Sequence, residues 1–459
     1  MLYKSTRGGD SRLPFKKTVL TGLARDGGLM LPESVPDFSG GLGRLAALRY
    51  QDLAVEMFRA FADDIPADSL RAIVEKSYST FRAPEVTPLV GVGDIFVLEL
   101  FHGPTFAFKD LALQFLGNLF EYVLRENGAR LNVVAATSGD TGSAAIHGLR
   151  GRKGVSITVL HPDGRVSPVQ ALQMTSVLDA NVHNIAIDGT FDDCQGIVKA
   201  LFADLPFKDK YSLGAVNSIN WARVMAQITY YFFAAFQAMA RTGARQVDFT
   251  VPTGNFGDVF AGYMAARMGL PVRRLILATN ENDILDRCFR TGVYSVGAVS
   301  ATISPSMDIQ VASNFERWLY YHFGEDPAKV SAAMTEFKAT GSLRIADGAI
   351  GDRWLSSGRA GTEETLDTIR GAWRDSGYLL DPHTAVGVSV ARKAGIGDVP
   401  MICLATAHPA KFPAAIERAV GEDIAHHPAL DALNGAERRM TRLPADARAV
   451  ADFVAANAL

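Results

Sequence analysis

Lys109 stands alone among small and aromatic residues in the stretch FHGPTFAFKDLALQFLGNLF (Phe101–Phe120). Phe101, Phe106 and Phe108 are placed to strip water from its amine, and a helix starting there adds its positive end; both favour the neutral form. A neutral lysine amine is a nucleophile toward carbonyl carbon. The plainer alternative is a lysine whose stem lies on apolar surface and whose head stays in water. Three further stretches bear on that choice. In AATSGDTGSAAIHGL (Ala135–Leu149) the hydroxyls and N–H groups around Thr137, Ser138, Asp140 and Thr141 gather at a strand-to-helix turn, which suits an anion. In VPTGNFGDVFAGYMAARMG (Val251–Gly269) the turn contains Gly254 and Gly257, whose missing side chains let an anion approach the backbone closely. LATAHPAKF (Leu404–Phe412) ends an apolar run with Thr406, a hydroxyl at the carboxyl end of a strand, where open α/β sheets bind ligands. Each of these, taken singly, also reads as an ordinary capped or glycine-bearing turn.

The elements that must hold these residues are legible in the hydrophobic pattern. Ile95–Leu100 is a β-branched and apolar run of strand length, and Leu111, Phe115, Leu116, Leu119 and Val123 recur at helical spacing, so Lys109 falls at a loop-to-helix junction. Further strand-like runs occupy Leu131–Ser138, Val155–Pro162, Val182–Asp188, Gln246–Gly254, Arg273–Asn280 and Val399–Pro409. Unbroken rather than alternating apolar strands, separated by helices, argue for parallel-rich sheets flanked by helices in an α/β protein. A long helix is expected over Asn220–Arg241, with ITYYFFAAF in the core. The pattern becomes irregular from Ser295 to Arg317, a loop long enough to suggest function, and helical pattern resumes near Asn314, over Asp326–Thr340 and over Thr362–Ser376. Residues 1–92 read as an N-terminal, mainly helical domain, and 93–459 as a catalytic domain with a smaller subdomain at about 120–215.

Composition narrows the partners. A length of 459 residues implies more than one core, and 48% hydrophobic with 21% charged residues is ordinary for a globular protein. With 46 basic against 49 acidic residues there is no global field for nucleic acid or an anionic membrane. Three widely spaced cysteines form neither a disulfide framework nor a CxxC site, no apolar run approaches a membrane span, and the nine histidines lack metal-ligand spacing. A cytoplasmic enzyme of small molecules, without a metal, is the expectation.

The four stretches together ask for a ligand with an electrophile for an amine and a phosphate for a glycine loop, used with a carboxylated substrate. Pyridoxal phosphate meets that description. The order of lysine, Ser/Thr/Gly loop, glycine loop and C-terminal hydroxyl resembles the tryptophan synthase β-like (fold type II) pyridoxal-phosphate enzymes. HGPTFAFKD, TSGDTG, PTGNFGD and ATAHPAKF, with GLARDGGLMLP near the start and Asn217–Phe232 in the middle, resemble more narrowly the threonine synthases of bacteria and fungi, along essentially the whole chain.

That resemblance implies conversion of O-phospho-L-homoserine and water to L-threonine and phosphate. It implies Lys109 as the Schiff-base lysine, and Gly254, Asn255, Phe256, Gly257 and Asp258 as the loop holding the cofactor phosphate. Thr406 falls at the ring nitrogen, where a hydroxyl leaves the ring largely unprotonated, as suits elimination and replacement. Thr137, Ser138, Asp140 and Thr141 fall near the substrate carboxylate and the cofactor phenol oxygen. The substrate phosphate needs a cationic clamp of its own, and Ser306, Asn314 and Arg317 in the irregular stretch are the candidates, against Arg317 lying on a solvated helix face. Another fold type II lyase or dehydratase, or a catalytically silent cofactor-binding paralogue, shares most of these features. A monomer or a homodimer is expected.

Overall fold

A computed structural model of the protein describes residues 1–10 and 12–459. The larger of its two main sheets has six strands, in the order Leu355–Arg359, Val272–Thr279, Val247–Pro252, Met401–Ala405, Ile95–Glu99 and Leu89–Val92. All neighbours in it are parallel except the last pair. Every residue of Val247–Pro252 and Met401–Ala405 is buried, as expected of strands covered by helices on both faces. The smaller sheet is parallel throughout, in the order Thr441–Pro444, Val182–Asp188, Val155–Pro162, Leu131–Ala136 and Leu213–Gly214. Its edge strand comes from near the end of the chain, so this unit is not confined to 120–215. The helix Ala447–Asn457 packs with it, Val450 and Val454 filling a cluster with Ile185, Ile187 and Leu201.

The N-terminal region carries the expected helices, Tyr50–Phe61 and Ala67–Tyr78, and also an antiparallel sheet ordered Leu13–Pro14, Leu2–Ser5, Met30–Pro32. Those strands have two to four residues, too short to give an alternating pattern. The long helix spans Trp221–Thr242 and is buried over most of its length. The stretch 296–314 is irregular apart from the 3-10 turn Pro305–Met307, and the helices Phe315–His322, Pro327–Thr340 and Thr362–Ser376 follow. Among the described residues no helix is long and apolar enough to cross a membrane.

One contact matters most for the site. The helices Lys109–Asn127 and Asp140–Leu149 cross at Gly117 and Gly148, and a Cβ on Gly117 would overlap the carbonyl oxygen of Gly148. Two glycines at the crossing bring the helix backbones together. Lys109 and Asp140, each the first residue of its helix, are thereby set beside one another.

Candidate active site

Lys109 opens its helix without a capping side chain, and its Nζ lies 3.4 Å from Oδ2 of Asp140 and 4.8 Å from the centre of the Phe108 ring. Burial lowers the pKa of this amine; Asp140 opposes the shift, and the cations Lys411 and Arg223 reinforce it. Asp140 is buried in turn. Burial alone would raise its pKa, but Lys411 and Lys109 reverse that and hold the carboxyl well below the usual range. Its oxygens take Lys411 Nζ at 2.6 Å, Gln170 Nε2 at 2.7 Å and Ser306 Oγ at 3.1 Å besides Lys109. A buried carboxylate with so many donors is compatible with its charge.

The TSGDTG turn is organised from within. Thr137 Oγ1 accepts the N–H of Gly139 at 3.0 Å and of Gly142 at 2.8 Å, while Ser143 N donates to Gly139 O. Among the described residues, the N–H groups of Ser138, Asp140 and Thr141 have no protein acceptor at the helix N-terminus, and Ser138 is exposed. The glycine loop offers a second set. Phe256 adopts a left-handed conformation (φ 64°) just before the helix Gly257–Arg267, and none of the N–H groups from Gly254 to Asp258 donates to a group among the described residues. Gly254 has no room for a side chain, since a Cβ there would lie 2.8 Å from Ser306 O. The Asp258 side chain points away to the long helix, accepting from Tyr230 OH at 2.5 Å and Tyr231 OH at 2.8 Å, and burial pushes its pKa up to about 6.

Thr406 is buried. Its N–H donates to Thr384 Oγ1 at 3.2 Å, its carbonyl accepts from Phe108 N at 2.8 Å, and its hydroxyl makes no hydrogen bond among the described residues. The segment 106–108 therefore runs against 406–408, which brings Lys109 and Thr406 to the same place. The same neighbourhood contains His383, whose Nδ1 pairs with Asp381 at 2.9 Å and whose Nε2 accepts the N–H of Ser306 at 3.2 Å.

The expected clamp divides in three. Ser306 is at the site, on Asp140. Asn314 braces the glycine loop, donating to Asn255 O from its backbone at 3.0 Å and its Nδ2 at 3.1 Å. Arg317 is neither on a solvated face nor turned toward the site: it has no exposed surface, and it donates to Met30 O at 3.1 Å, Ile219 O at 2.6 Å and Asn314 Oδ1. Its guanidinium is committed to tying the N-terminal sheet to the loop. The cation that does remain available is Arg223, on the first turn of the long helix. It is buried, donates from Nη1 to Val216 O at 3.2 Å, and has an Nε with no partner among the described residues. Burial lowers its pKa to about 10, which leaves it charged at neutral pH. Arg223, Lys411, Gln170 and His383 escaped the sequence reading; Lys411 in AHPAKF and Arg223 in Asn217–Phe232 sat within quoted stretches, but nothing local marks them as facing the site.

These residues suit pyridoxal phosphate. One buried amine is held toward its neutral form, five consecutive N–H groups wait at a helix N-terminus, and one uncommitted hydroxyl sits at the end of a central strand. The chain also matches known proteins along its length. The family model for "Pyridoxal-phosphate dependent enzyme" matches residues 78–335, "Threonine synthase N terminus" matches 2–78 and "Threonine synthase, C-terminal" matches 384–454. The chain is 48% identical to threonine synthase of Schizosaccharomyces pombe, over 91% of this chain and 89% of that one. It is 48% identical to that of Pseudomonas aeruginosa, over 99% and 98%. A crystal structure of pyridoxal-phosphate-bound threonine synthase from Brucella melitensis superimposes with a TM-score of 0.94 at 47% identity, covering 99% of both chains. The likeness to maize serine racemase, at 13% identity and a TM-score of 0.51 over 74% of this chain and 92% of that one, is one of fold. With family models on both termini and the centre, and near-half identity across almost the full length, the chain belongs to the threonine synthase family of pyridoxal-phosphate-dependent enzymes.

Proposed function

We propose that the protein converts O-phospho-L-homoserine and water to L-threonine and inorganic phosphate, in the cytoplasm, as a monomer or homodimer. The observation that carries this reading is the grouping of three separate sets of uncommitted donors around the buried amine of Lys109. The cofactor, when bound, supplies an electron sink for a carbanion formed on the substrate. Lys109 would hold the cofactor through its amine and, when that amine is free, would move protons at the substrate Cα and Cβ. Backbone N–H groups from Gly254 to Asp258 hold the cofactor phosphate, and the Thr406 hydroxyl meets the ring nitrogen. Ser138, Asp140 and Thr141 N–H groups receive the substrate carboxylate, with Thr137 shaping that turn and Asp140 beside the phenol oxygen. For the departing phosphate the geometry favours Arg223, with its unpartnered Nε, over Arg317, whose donors are spent; Ser306 lies on Asp140, and Asn314 supports the loop.

The test is a direct one. The purified protein with pyridoxal phosphate is given O-phospho-L-homoserine, and phosphate and threonine are both measured; serine and threonine are supplied in parallel. Equal release of phosphate and threonine supports the reading. Keto acid formed from serine or threonine faster than threonine forms from the phosphate ester would make the protein a dehydratase, and no product from any of them would make it a silent paralogue.

A further inference from the structure

The wall that carries Lys109 and Thr406 has a second side. His408 N donates to Phe106 O at 3.0 Å and Phe108 N to Thr406 O at 2.8 Å, forming a two-bond bridge between the two segments. Phe106 and His408 line a cavity of about 370 Å³, together with Arg82, Glu99, His102 and His427 among others. Arg82, Glu99, His102, His408 and His427 take no part in the chemistry described above.

The polar atoms of this cavity are mostly donors. His408 Nδ1 accepts the N–H of Ala410 at 3.2 Å, and His427 Nδ1 accepts that of Ala429 at 3.1 Å. A neutral ring that accepts at Nδ1 carries its proton on Nε2. Both rings therefore have a donor left to give. The Arg82 guanidinium lies 3.9 Å from the centre of the Phe106 ring and donates from Nη1 to Gly103 O, with Nε and Nη2 uncommitted. The one carboxylate, Glu99, is already answered on both oxygens, by His102 Nε2 at 2.7 Å and by Tyr378 OH at 2.7 Å. The walls are ring faces and edges: Phe106 and His427 centres are 4.5 Å apart, Phe101 and His408 5.4 Å, and His408 and His427 5.2 Å. Burial pushes His408 down to about 4, and burial followed by Arg82 lowers His427, so both rings donate as neutral groups near neutral pH.

We propose that this cavity is a second ligand site, for a small carboxylate with a planar apolar body, its oxygens on Arg82 and His427 and its body against the Phe101 and Phe106 rings. An anion is selected because one cation and two neutral donors are uncommitted while the acid is not. A planar body is selected because edges and faces of rings bound the rest of the space. A cation of the same shape meets Arg82 instead of a counter-charge and is refused.

Benzoate is a suitable probe, with benzylamine as the matched cation, and binding is measured by calorimetry on the holoenzyme saturated with L-threonine, which keeps the amino-acid site filled. Benzoate is expected to bind under those conditions, and benzylamine to bind at least about tenfold more weakly. Arg82→Gln is expected to weaken benzoate by about tenfold, the worth of a charge-assisted hydrogen bond. His427→Phe keeps the ring and removes one donor; it too should weaken benzoate, with phosphate release from O-phospho-L-homoserine unchanged. If Arg82→Gln fails to fold, His427→Phe decides alone. The proposal is overturned if benzoate does not bind, if benzylamine binds as well, or if His427→Phe binds benzoate like the wild type.

Discussion

The ammonium of Lys411, which has no exposed surface, lies 2.6 Å from Oδ1 of Asp140, while that of Lys109 lies 3.4 Å from Oδ2. One buried carboxylate thus separates two buried lysines, and only the nearer is fully paired. Lys411 also donates to Thr105 O at 2.9 Å, in the loop that leads to Lys109. Lys411→Met takes away a cation that lowers the pKa of Lys109 and leaves Asp140 to raise it. More of Lys109 is then protonated at a given pH. The rate at which the apoenzyme captures pyridoxal phosphate, followed by its visible absorbance, should need a more alkaline medium to reach its plateau. An unmoved acid limb would mean that Lys411 does not tune the amine. The variant should also lose roughly 3–5 kcal/mol of stability, as is usual when one partner of a buried ion pair is removed.

Lys109→Ala removes both the covalent tether and the proton-moving group. Phosphate release should fall by at least about a thousandfold, the order of a lost general base combined with a lost nucleophile. The cofactor should still associate through the N–H groups of 254–258, without the absorbance of the covalent form. A variant that releases phosphate within tenfold of the wild type would end the assignment of Lys109.

The two buried arginines should separate by kinetics and by melting. Arg223→Leu is expected to raise the KM for O-phospho-L-homoserine by about tenfold or more, as for a charge-assisted contact, and to leave the cofactor bound. Arg317→Leu strands the carbonyls of Met30 and Ile219 and should cost roughly 3 kcal/mol in stability. If KM answers to Arg317 and not to Arg223, Arg223 does not hold the substrate phosphate.

Asp258 supplies a pH dependence with a definite sign. Its folded pKa, about 6, is above the ordinary 3.8, so the unfolded chain gives up this proton first. Stability should therefore fall as pH rises from about 4 to about 6, and the full cost, roughly 3 kcal/mol for that displacement, should persist at pH 8. Asp258→Asn keeps an acceptor for the Tyr230 and Tyr231 hydroxyls and removes the titration. Its melting temperature in the apo form should exceed the wild type at pH 8 and lose the slope between pH 4 and 6. A parallel pair of melting curves across that range would show Asp258 ionised throughout.

Gly254→Val should weaken cofactor binding more than Gly257→Val. The first Cβ lies 2.8 Å from a backbone oxygen, Ser306 O, and something must shift; the second lies 3.2 Å from the Asn314 side-chain nitrogen, a less severe approach that a few tenths of an ångström relieve. Titration of the apoenzymes with pyridoxal phosphate orders them, and equal affinity with the wild type in both would place the phosphate elsewhere.

Much of this was open to reading from the residues alone. The central strands are buried on both faces, so runs such as VSITVLHP and MICLA carry no alternation to misjudge. The edge strands LSSGR and TRLP are half polar, and LG has two residues; nothing in such segments distinguishes a strand from a turn. The Lys109, TSGDTG and GNFGD turns were legible because their donors are backbone groups fixed by local sequence. Arg317 was not, because its burial is decided by carbonyls at Met30 and Ile219, far away along the chain. His383 and Gln170 likewise act on partners from other elements. The clamp was sought in an irregular polar stretch, whereas the free guanidinium lies on a regular apolar helix, where an arginine looks like an accident of the surface.

The strand Thr441–Pro444 closes the edge of the smaller sheet against Val182–Asp188. On a ribosome, the segments from Leu131 to Gly214 emerge long before that strand exists, and the edge at Val182–Asp188 stays open while more than half of the chain is still to be made. A nascent chain at that stage displays a row of unpaired backbone groups along Val182–Asp188, and is exposed to pairing with a second copy. The last strand to be made thus acts as the seal on an assembly begun much earlier, and translation rate over the C-terminal third should govern how much of the protein is recovered in soluble form.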